Sequence, residues 1–221
     1  MAQEREASDP GLRGDPVVEE GWEPPIVAFD FDGTLTVRDS YTAFLKWRTP
    51  AIRWWLGGVR LLPAALAYLI HRDRGRIKAA ATKVYLGGVS RERLEADARR
   101  FAELHSRKLL RPDAVIAWKR WRAKRVKLVI VTASPDVVVA PFARGLAADG
   151  ILGTPLSYDA QGRVTGAFAS PNCRGPEKVV RIRAAYGDDV EVKAAYGDTS
   201  GDTEMLAMAA EPYFRVFTGK P

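Results

Sequence analysis

The chain has 221 residues, 47% of them hydrophobic and 28% charged, which suits one sizeable core with a smaller insert. Its single cysteine, Cys173, excludes an internal disulfide, and with His71 and His105 as the only histidines a His/Cys zinc site is not expected. The net charge of +7 is concentrated: residues 38–111 hold 17 Lys and Arg against 6 Asp and Glu, a net of +11, so the remainder is net acidic. A basic middle between acidic flanks suits an anionic partner, and equally a solvated Arg-rich helical surface.

Residues 1–23 are polar, charged and rich in Pro and Gly, which reads as a disordered lead-in rather than a secretory signal. A first strand is expected over 25–31. Residues 40–110 show no strand pattern; helices are expected at about 40–48, 51–71, 74–86 and 90–109, the last capped by Ser90 after Gly87-Gly88. A helix over about 112–124 follows, with Pro112 in its first turn, where the missing N–H costs nothing. The run VKLVIVT, 126–132, is nearly continuous and β-branched, as a parallel strand covered on both faces requires. A helix over 135–149 precedes a hairpin of 154–160 and 163–168 around Gln161-Gly162. Gly175-Pro176 opens another helix, 190–196 is a strand, 203–210 a helix and 214–217 a last strand. This alternation implies an α/β fold: a doubly wound, Rossmann-like parallel sheet formed by 24–39 and 111–221, with an all-helical cap, 40–110, inserted into it.

The segment Ala51–Ile70 is the most apolar. Its longest unbroken run, Leu61–Ile70, is 10 residues, short of the roughly 20 that a spanning helix needs. Trp54, Trp55 and Tyr68 beside Arg53 and Arg60 suit either a helix lying in a membrane interface or the cap's own core. The cysteine usage fits a cytoplasmic location, peripheral to the inner face of a membrane if the cap touches one.

Two carboxylate pairs stand where apolar runs give way to turns: Asp30 and Asp32 in FDFDGTLT, Asp198 and Asp202 in YGDTSGDTEML. In parallel sheets, functional groups gather beyond the carboxyl ends of the strands, so the pairs can share one rim. Four converging carboxylates need a hard cation, and an all-oxygen set suits Mg²⁺ completed by a substrate phosphate. Residues i and i+2 of an extended segment face the same way, so Asp30 can attack phosphorus while Asp32 acts as acid and base. Gly33 lets the turn approach the phosphate. Thr132 and the backbone N–H of Ala133, before a helix, form a phosphate cradle. Lys178 in a helix's first turn runs against the helix dipole, which anionic neighbours would offset.

With these four signals in order, the sequence resembles the haloacid dehalogenase superfamily of phosphohydrolases, and within it the phosphoserine-phosphatase-like branch with its helical cap between the first and second motifs. The resemblance implies Asp30 as nucleophile, Asp32 as acid/base and main-chain Mg²⁺ ligand, Thr132 as phosphate binder, Lys178 as charge clamp, and Asp198 with Asp202 as metal residues. Asp39 falls where that branch holds a carboxylate for the substrate amine, and Lys83 near its carboxylate-binding arginine. Gly33, Gly201 and Thr132-Ala133 depart from the Ser, Asn and Ser-Gly of true phosphoserine phosphatases. Residues 172–178, NCRGPEK, and the apolar cap resemble bacterial relatives of the phosphatidylglycerophosphatase C type. The expected activity is thus a Mg²⁺-dependent phosphomonoester hydrolase acting on a small phosphomonoester or a phospholipid such as phosphatidylglycerophosphate. Phosphoserine or another soluble metabolite is the alternative, and an inactive anion- or nucleic-acid-binding protein the alternative of another class. The charge is scattered through amphipathic helices without a recognisable nucleic-acid module, so nucleic acid is not the expected partner. Oligomeric state is left open.

Overall fold

The computed structural model describes residues 23–71 and 74–221. The expected lead-in lies outside the described residues except for Glu23, whose carboxylate pairs with Lys127.

Strand β1 (Ile26–Phe29) is short, apolar and wholly buried. It is the middle of a five-stranded parallel sheet that also contains β2 (Lys127–Pro135), β3 (Gly150–Thr154), β6 (Val192–Gly197) and β7 (Glu211–Phe214), in the order β3-β2-β1-β6-β7. The chain builds outward from β1 to β3, then returns to β1's other side for β6. That reversal is a topological switch point, where a crevice opens at the carboxyl ends of adjacent strands. Phe29 pairs with Ile130 of β2 and Tyr196 of β6, so the residues that follow all three strands meet there.

Period-two alternation divides each strand between two cores. Val27, Phe29, Leu128 and Ile130 face Trp118 and Phe142, which come from α5 (Pro112–Arg122) and α6 (Asp136–Gly145). Ile26, Ala28, Val129 and Val131 face Ile182 and Met205, from α7 (Pro176–Tyr186) and α8 (Thr203–Ala207). The result is helices on both faces of a parallel sheet.

Four helices lie between β1 and α5: α1 (Ser40–Arg48), α2 (Ala51–His71), α3 (Arg74–Leu86) and α4 (Arg91–Leu109). They divide into two pairs. α1 and α4 share the core with α6 through an aromatic chain in which Phe142 lies 5.4 Å from Phe31 and 6.0 Å from Phe101, and Phe101 lies 5.5 Å from Phe44. α2 packs on α3, with Trp54 stacked on Tyr85 at 4.8 Å and the Tyr85 hydroxyl donating to the Trp54 carbonyl at 3.0 Å. A hairpin of β4 (Leu156–Tyr158) and β5 (Val164–Phe168) braces this block, Gly88 N–H donating to Val164 O and Val164 N–H to Val89 O, both at 2.9 Å.

Several elements differ from the sequence reading, among them the helix expected over 203–210, which ends at Ala207. Strand β3 was not expected, because GILGT carries two glycines in five residues and lacks a strong strand pattern; its pairing with β2 decides it. The helix expected to reach residue 149 stops at Gly145, and Ala147 adopts φ 51° as the chain turns into β3. The last strand is Glu211–Phe214 rather than 214–217, since Tyr213 registers with Tyr196 and Arg215 then takes φ 54°.

Candidate active site

Asp30 continues β1 by one residue, its N–H donating to Tyr196 O at 2.9 Å, and the chain then curls through a single wide turn over Phe31–Leu35. Gly33 makes that turn, at φ 90°, and a Cβ there would lie 2.3 Å from Asp198 Oδ2. No side chain fits between the two acidic loops, so Gly33 is required by both its conformation and its neighbour. Asp198 follows β6, the strand beside β1, and Thr132 follows the apolar part of β2 on β1's other side.

Lys178 joins these loops. It sits in the first turn of α7, buried, with Nζ donating to Asp30 Oδ1 at 2.6 Å, to Asp202 Oδ1 at 2.7 Å and to Val131 O at 2.7 Å. All three ammonium protons are used, and two carboxylates offset the unfavourable helix dipole. Burial alone lowers a lysine, but Asp30 and Asp202 outweigh it and hold the ammonium well above its ordinary value. Asp202 Oδ2 in turn accepts from the backbone N–H of Asp198 at 3.2 Å and of Thr199 at 2.9 Å, and from the Thr199 hydroxyl at 3.0 Å. Burial raises Asp202, yet Lys178 and these donors bring its carboxyl below the ordinary range. Asp202 is thus both a member of the acidic group and the brace that shapes the Asp198 loop.

Asp30, Asp198 and Asp202 each offer an oxygen within 4.8 Å of the others. Lys178 pairs with Asp30 and Asp202 and Arg215 acts on Asp198 from the side, so the three carboxylates still outnumber the cations against them. The mark of this excess is on the two with unused oxygens: burial pushes the Asp30 carboxyl up to about 7 against the pull of Lys178, and burial followed by the Asp202 charge raises Asp198. An all-oxygen donor set carrying excess charge fits a hard divalent cation such as Mg²⁺. The Asp32 carboxylate stands apart from this group, a correction to the expectation of four converging carboxylates. Its Oδ1 accepts from Ser40 N–H at 2.7 Å and its Oδ2 from the Ser134 hydroxyl, so both oxygens are engaged away from the cluster. Burial, then the Asp39 charge, raise it against the pull of Lys78.

These groups form the floor of a cavity of about 700 Å³. Asp30, Asp32, Gly33, Thr132, Ala133 and Lys178 line it, as do Asp198 and Asp202. Asp39 lines it too, capping α1 by accepting from Thr42 N–H at 2.6 Å, with Oδ2 3.8 Å from Lys78 Nζ. Lys83 does not belong to the lining. It projects from the far side of α3, exposed, against Gly166 of β5. Lys78 holds the position expected of Lys83, with its ammonium 3.5 Å from Ala133 O and from the Ser134 hydroxyl. The helical period could have revealed this: Lys78 shares a face with Ala81 and Tyr85, both in the cavity, whereas five residues on the side chain points elsewhere. Arg174, also unanticipated, lines the cavity and donates to the hydroxyls of Thr199 at 3.3 Å and Ser200 at 3.2 Å.

The haloacid dehalogenase-like hydrolase family pattern matches residues 27–207, which include every carboxylate of this site. The chain belongs to that family. A relative, Protein CicA of Caulobacter vibrioides, is 58% identical over 203 residues, spanning 92% of this chain and 91% of that protein. Solved structures share the fold. A Bordetella pertussis Tohama I protein of unknown function has a TM-score of 0.65 at 22% identity, covering 83% of this chain and 86% of that one. A phosphoserine phosphatase captured as a phospho-aspartyl intermediate analogue has a TM-score of 0.54 at 18% identity, covering 85% and 84%.

Proposed function

We propose that this hydrolase is a Mg²⁺-dependent phosphomonoester hydrolase working through an aspartyl-phosphate on Asp30. The observation that carries the reading is the Lys178 ammonium bridging Asp30 and Asp202 while Asp198 stands in the same acidic group. Lys178 occupies Oδ1 of Asp30 and leaves Oδ2 to attack phosphorus. The new O–P bond forms as the ester P–O bond breaks, and Asp32 gives its proton to the leaving alkoxide. Water then attacks the phosphorus of the acyl phosphate, Asp32 takes a proton from it, Asp30 is regenerated and inorganic phosphate departs. Thr132 and the Ala133 N–H face the phosphoryl oxygens in this reading, and Lys178 balances the charge that develops on them. Asp30, through the oxygen that does not attack, and Asp198, with the main-chain oxygen of Asp32, would hold Mg²⁺, and Asp202 would support it from behind. When bound, the ion neutralises phosphate charge and orients the ester for in-line attack. Residues 40–110 would act as a cap over a core of 24–39 and 111–221, closing water out of the first step.

The substrate favoured is a phosphate monoester with an apolar body, such as a lipid phosphate of the phosphatidylglycerophosphate type. Support comes from the cavity roof, where Leu45, Trp54, Leu61, Tyr68, Ile77 and Tyr85 face a polar floor. A second reading, a zwitterionic metabolite such as phosphoserine, draws on Asp39 and Lys78, opposite charges 3.8 Å apart at the cavity wall. A binding protein without chemistry would lack one of the reacting groups, and Asp30, Asp32, Lys178 and Asp198 are all present. Turnover measured with Mg²⁺ across soluble phosphomonoesters and lipid phosphates separates the readings. Hydrolysis of lipid phosphates with higher kcat/KM than phosphoserine is expected; the reverse order moves the substrate to the metabolite class, and no hydrolysis of either defeats the enzyme reading.

A further inference from the structure

Helix α2 carries large apolar side chains into solvent along most of its length. Ile52, Trp55, Leu56, Val59, Leu62, Leu66 and Leu69 are between 55% and 75% exposed. Their spacing of three and four residues places them on one face of the helix. The opposite face is occupied: Trp54 stacks on Tyr85, Gly57 lies against the Tyr85 ring, and Leu61 and Tyr68 line the cavity. Trp55 belongs to both regions, being 75% exposed and part of the cavity lining, so the outer stripe runs without a break to the cavity's lip. An apolar face of this extent, unpartnered among the described residues, marks an interaction surface.

A second feature says what meets it. Along one edge of the stripe, Arg48, Arg53 and Arg60 line a recess of about 240 Å³ with Leu56 and Gly57, and no carboxylate is among its described lining residues. Arg48 is paired with Asp97 at 2.8 Å, so Arg53 and Arg60 supply the recess's charge. Apolar side chains flanked by arginines in a notch of headgroup size match an anionic bilayer surface, with acyl chains on one side and phosphate on the other. A second copy of this chain fits poorly, because a two-fold contact would set one basic cap, net +11 over residues 38–111, against another. Among the described residues no helix is long and apolar enough to cross a membrane, which agrees with a helix lying in the interfacial plane.

We propose that α2 is a membrane-docking helix that seats its Ile52–Leu69 stripe in an anionic bilayer, with Arg53 and Arg60 holding a lipid phosphate headgroup beside it. The docked helix turns the Trp55 lip of the cavity towards the membrane, so a lipid phosphate can reach Asp30 with its acyl body still in apolar surroundings. This last step rests on the lipid-phosphate reading of the site; the docking itself does not.

The test is co-sedimentation of the full chain with vesicles of phosphatidylcholine alone and of phosphatidylcholine mixed with phosphatidylglycerol, at low salt. Binding to the mixed vesicles is expected, with Leu62→Glu/Leu66→Glu weakening it at least tenfold and Arg53→Gln/Arg60→Gln weakening it about fivefold per arginine while reducing its salt dependence. Hydrolysis of a small soluble phosphomonoester by Leu62→Glu/Leu66→Glu, at the wild-type rate, reports that the fold is intact. Wild-type protein that binds neither vesicle, binds both equally, or forms a dimer that Leu62→Glu/Leu66→Glu dissolves overturns the proposal. Soluble turnover without vesicle binding leaves the phosphatase reading standing and ends the docking one; vesicle binding without any turnover does the opposite.

Discussion

On the floor of the cavity Lys178 is 1% exposed and places all three of its protons on fixed acceptors, whereas on the roof Trp55 is 75% exposed beside a stripe of aliphatic side chains facing solvent. The floor is built on the ends of three adjacent parallel strands, each buried on both faces, and its polar groups brace one another. The roof is a pair of helices of which only α3 is held to the rest of the chain, through the hairpin strand β5, and the apolar groups of α2 have no partners on one side among the described residues. Positions that tolerate no displacement suit the reacting atoms, since an error of about an ångström there costs on the order of a hundredfold in rate. An unpartnered surface suits recognition of a body that the rest of the chain does not supply. In the proposed reading, the floor fixes the reaction and the roof fixes what is brought to it.

The largest expected effect is at the floor. Asp30→Asn should lower turnover of any phosphomonoester by roughly three orders of magnitude or more, with circular dichroism unchanged. A variant that is folded and active would break the distinction at its base. Lys178→Met should follow closely: it leaves Asp30 and Asp202 buried without their cation, at a cost of about 3–5 kcal/mol in unfolding free energy without Mg²⁺. Chemical denaturation reads that loss, and a stability equal to wild type would show that the bridge is not structural. Gly33→Ala is the next in size, because its Cβ would meet Asp198 Oδ2 at 2.3 Å on a backbone of φ 90°. A fall in kcat of about a hundredfold is expected, with a smaller loss of thermal stability, and the two are compared by kinetics and thermal melts. At the wall between floor and roof, Lys78→Ala should reduce kcat/KM about tenfold through loss of one charge near the substrate, whereas Lys83→Ala changes it less than twofold. Equal effects of the two would erase the assignment of Lys78 to the cavity.

A pH experiment sharpens the same comparison by the smallest margin. Asp30 is raised from 3.8 to about 7, chiefly by burial. Between those values the folded chain holds a proton that the unfolded chain has released, so Asp30's contribution to stability falls as pH rises through the window. Metal-free Asp30→Asn should lack that slope, so its Tm relative to wild type climbs as pH rises from 3.8 to about 7. Parallel profiles would contradict it. Mg²⁺ should raise the wild-type Tm more at the upper end of the window, where the carboxylate is free to accept it.

Much of the floor could be read from the sequence because its signals are local. Asp30 and Asp198 each end an apolar strand, Gly33 follows the first pair, and Lys178 opens a helix, so position along the chain already implied position on the rim. What could not be read depends on packing across elements. The short, glycine-bearing β3 gains its identity only from pairing with β2. Asp32 lies two residues beyond Asp30, yet Ser40 and Ser134 draw its carboxylate out of the acidic group. α1 and α4 share an aromatic core with α6, which no periodicity within 40–110 could reveal. Adjacent Trp54 and Trp55 are alike in the sequence, and the turn of one residue puts the first on Tyr85 and the second in solvent.

The account depends most on Asp30 taking the phosphoryl group. Protein incubated with Mg²⁺ and a phosphomonoester, quenched in acid during turnover and digested, can be analysed by mass spectrometry for a covalent phosphoryl adduct. The account predicts one adduct, on the peptide that contains Asp30, absent from Asp30→Asn and lost on mild base treatment as an acyl phosphate is. An adduct on another residue, or turnover with no adduct while the second, hydrolytic step is rate-limiting, would contradict it.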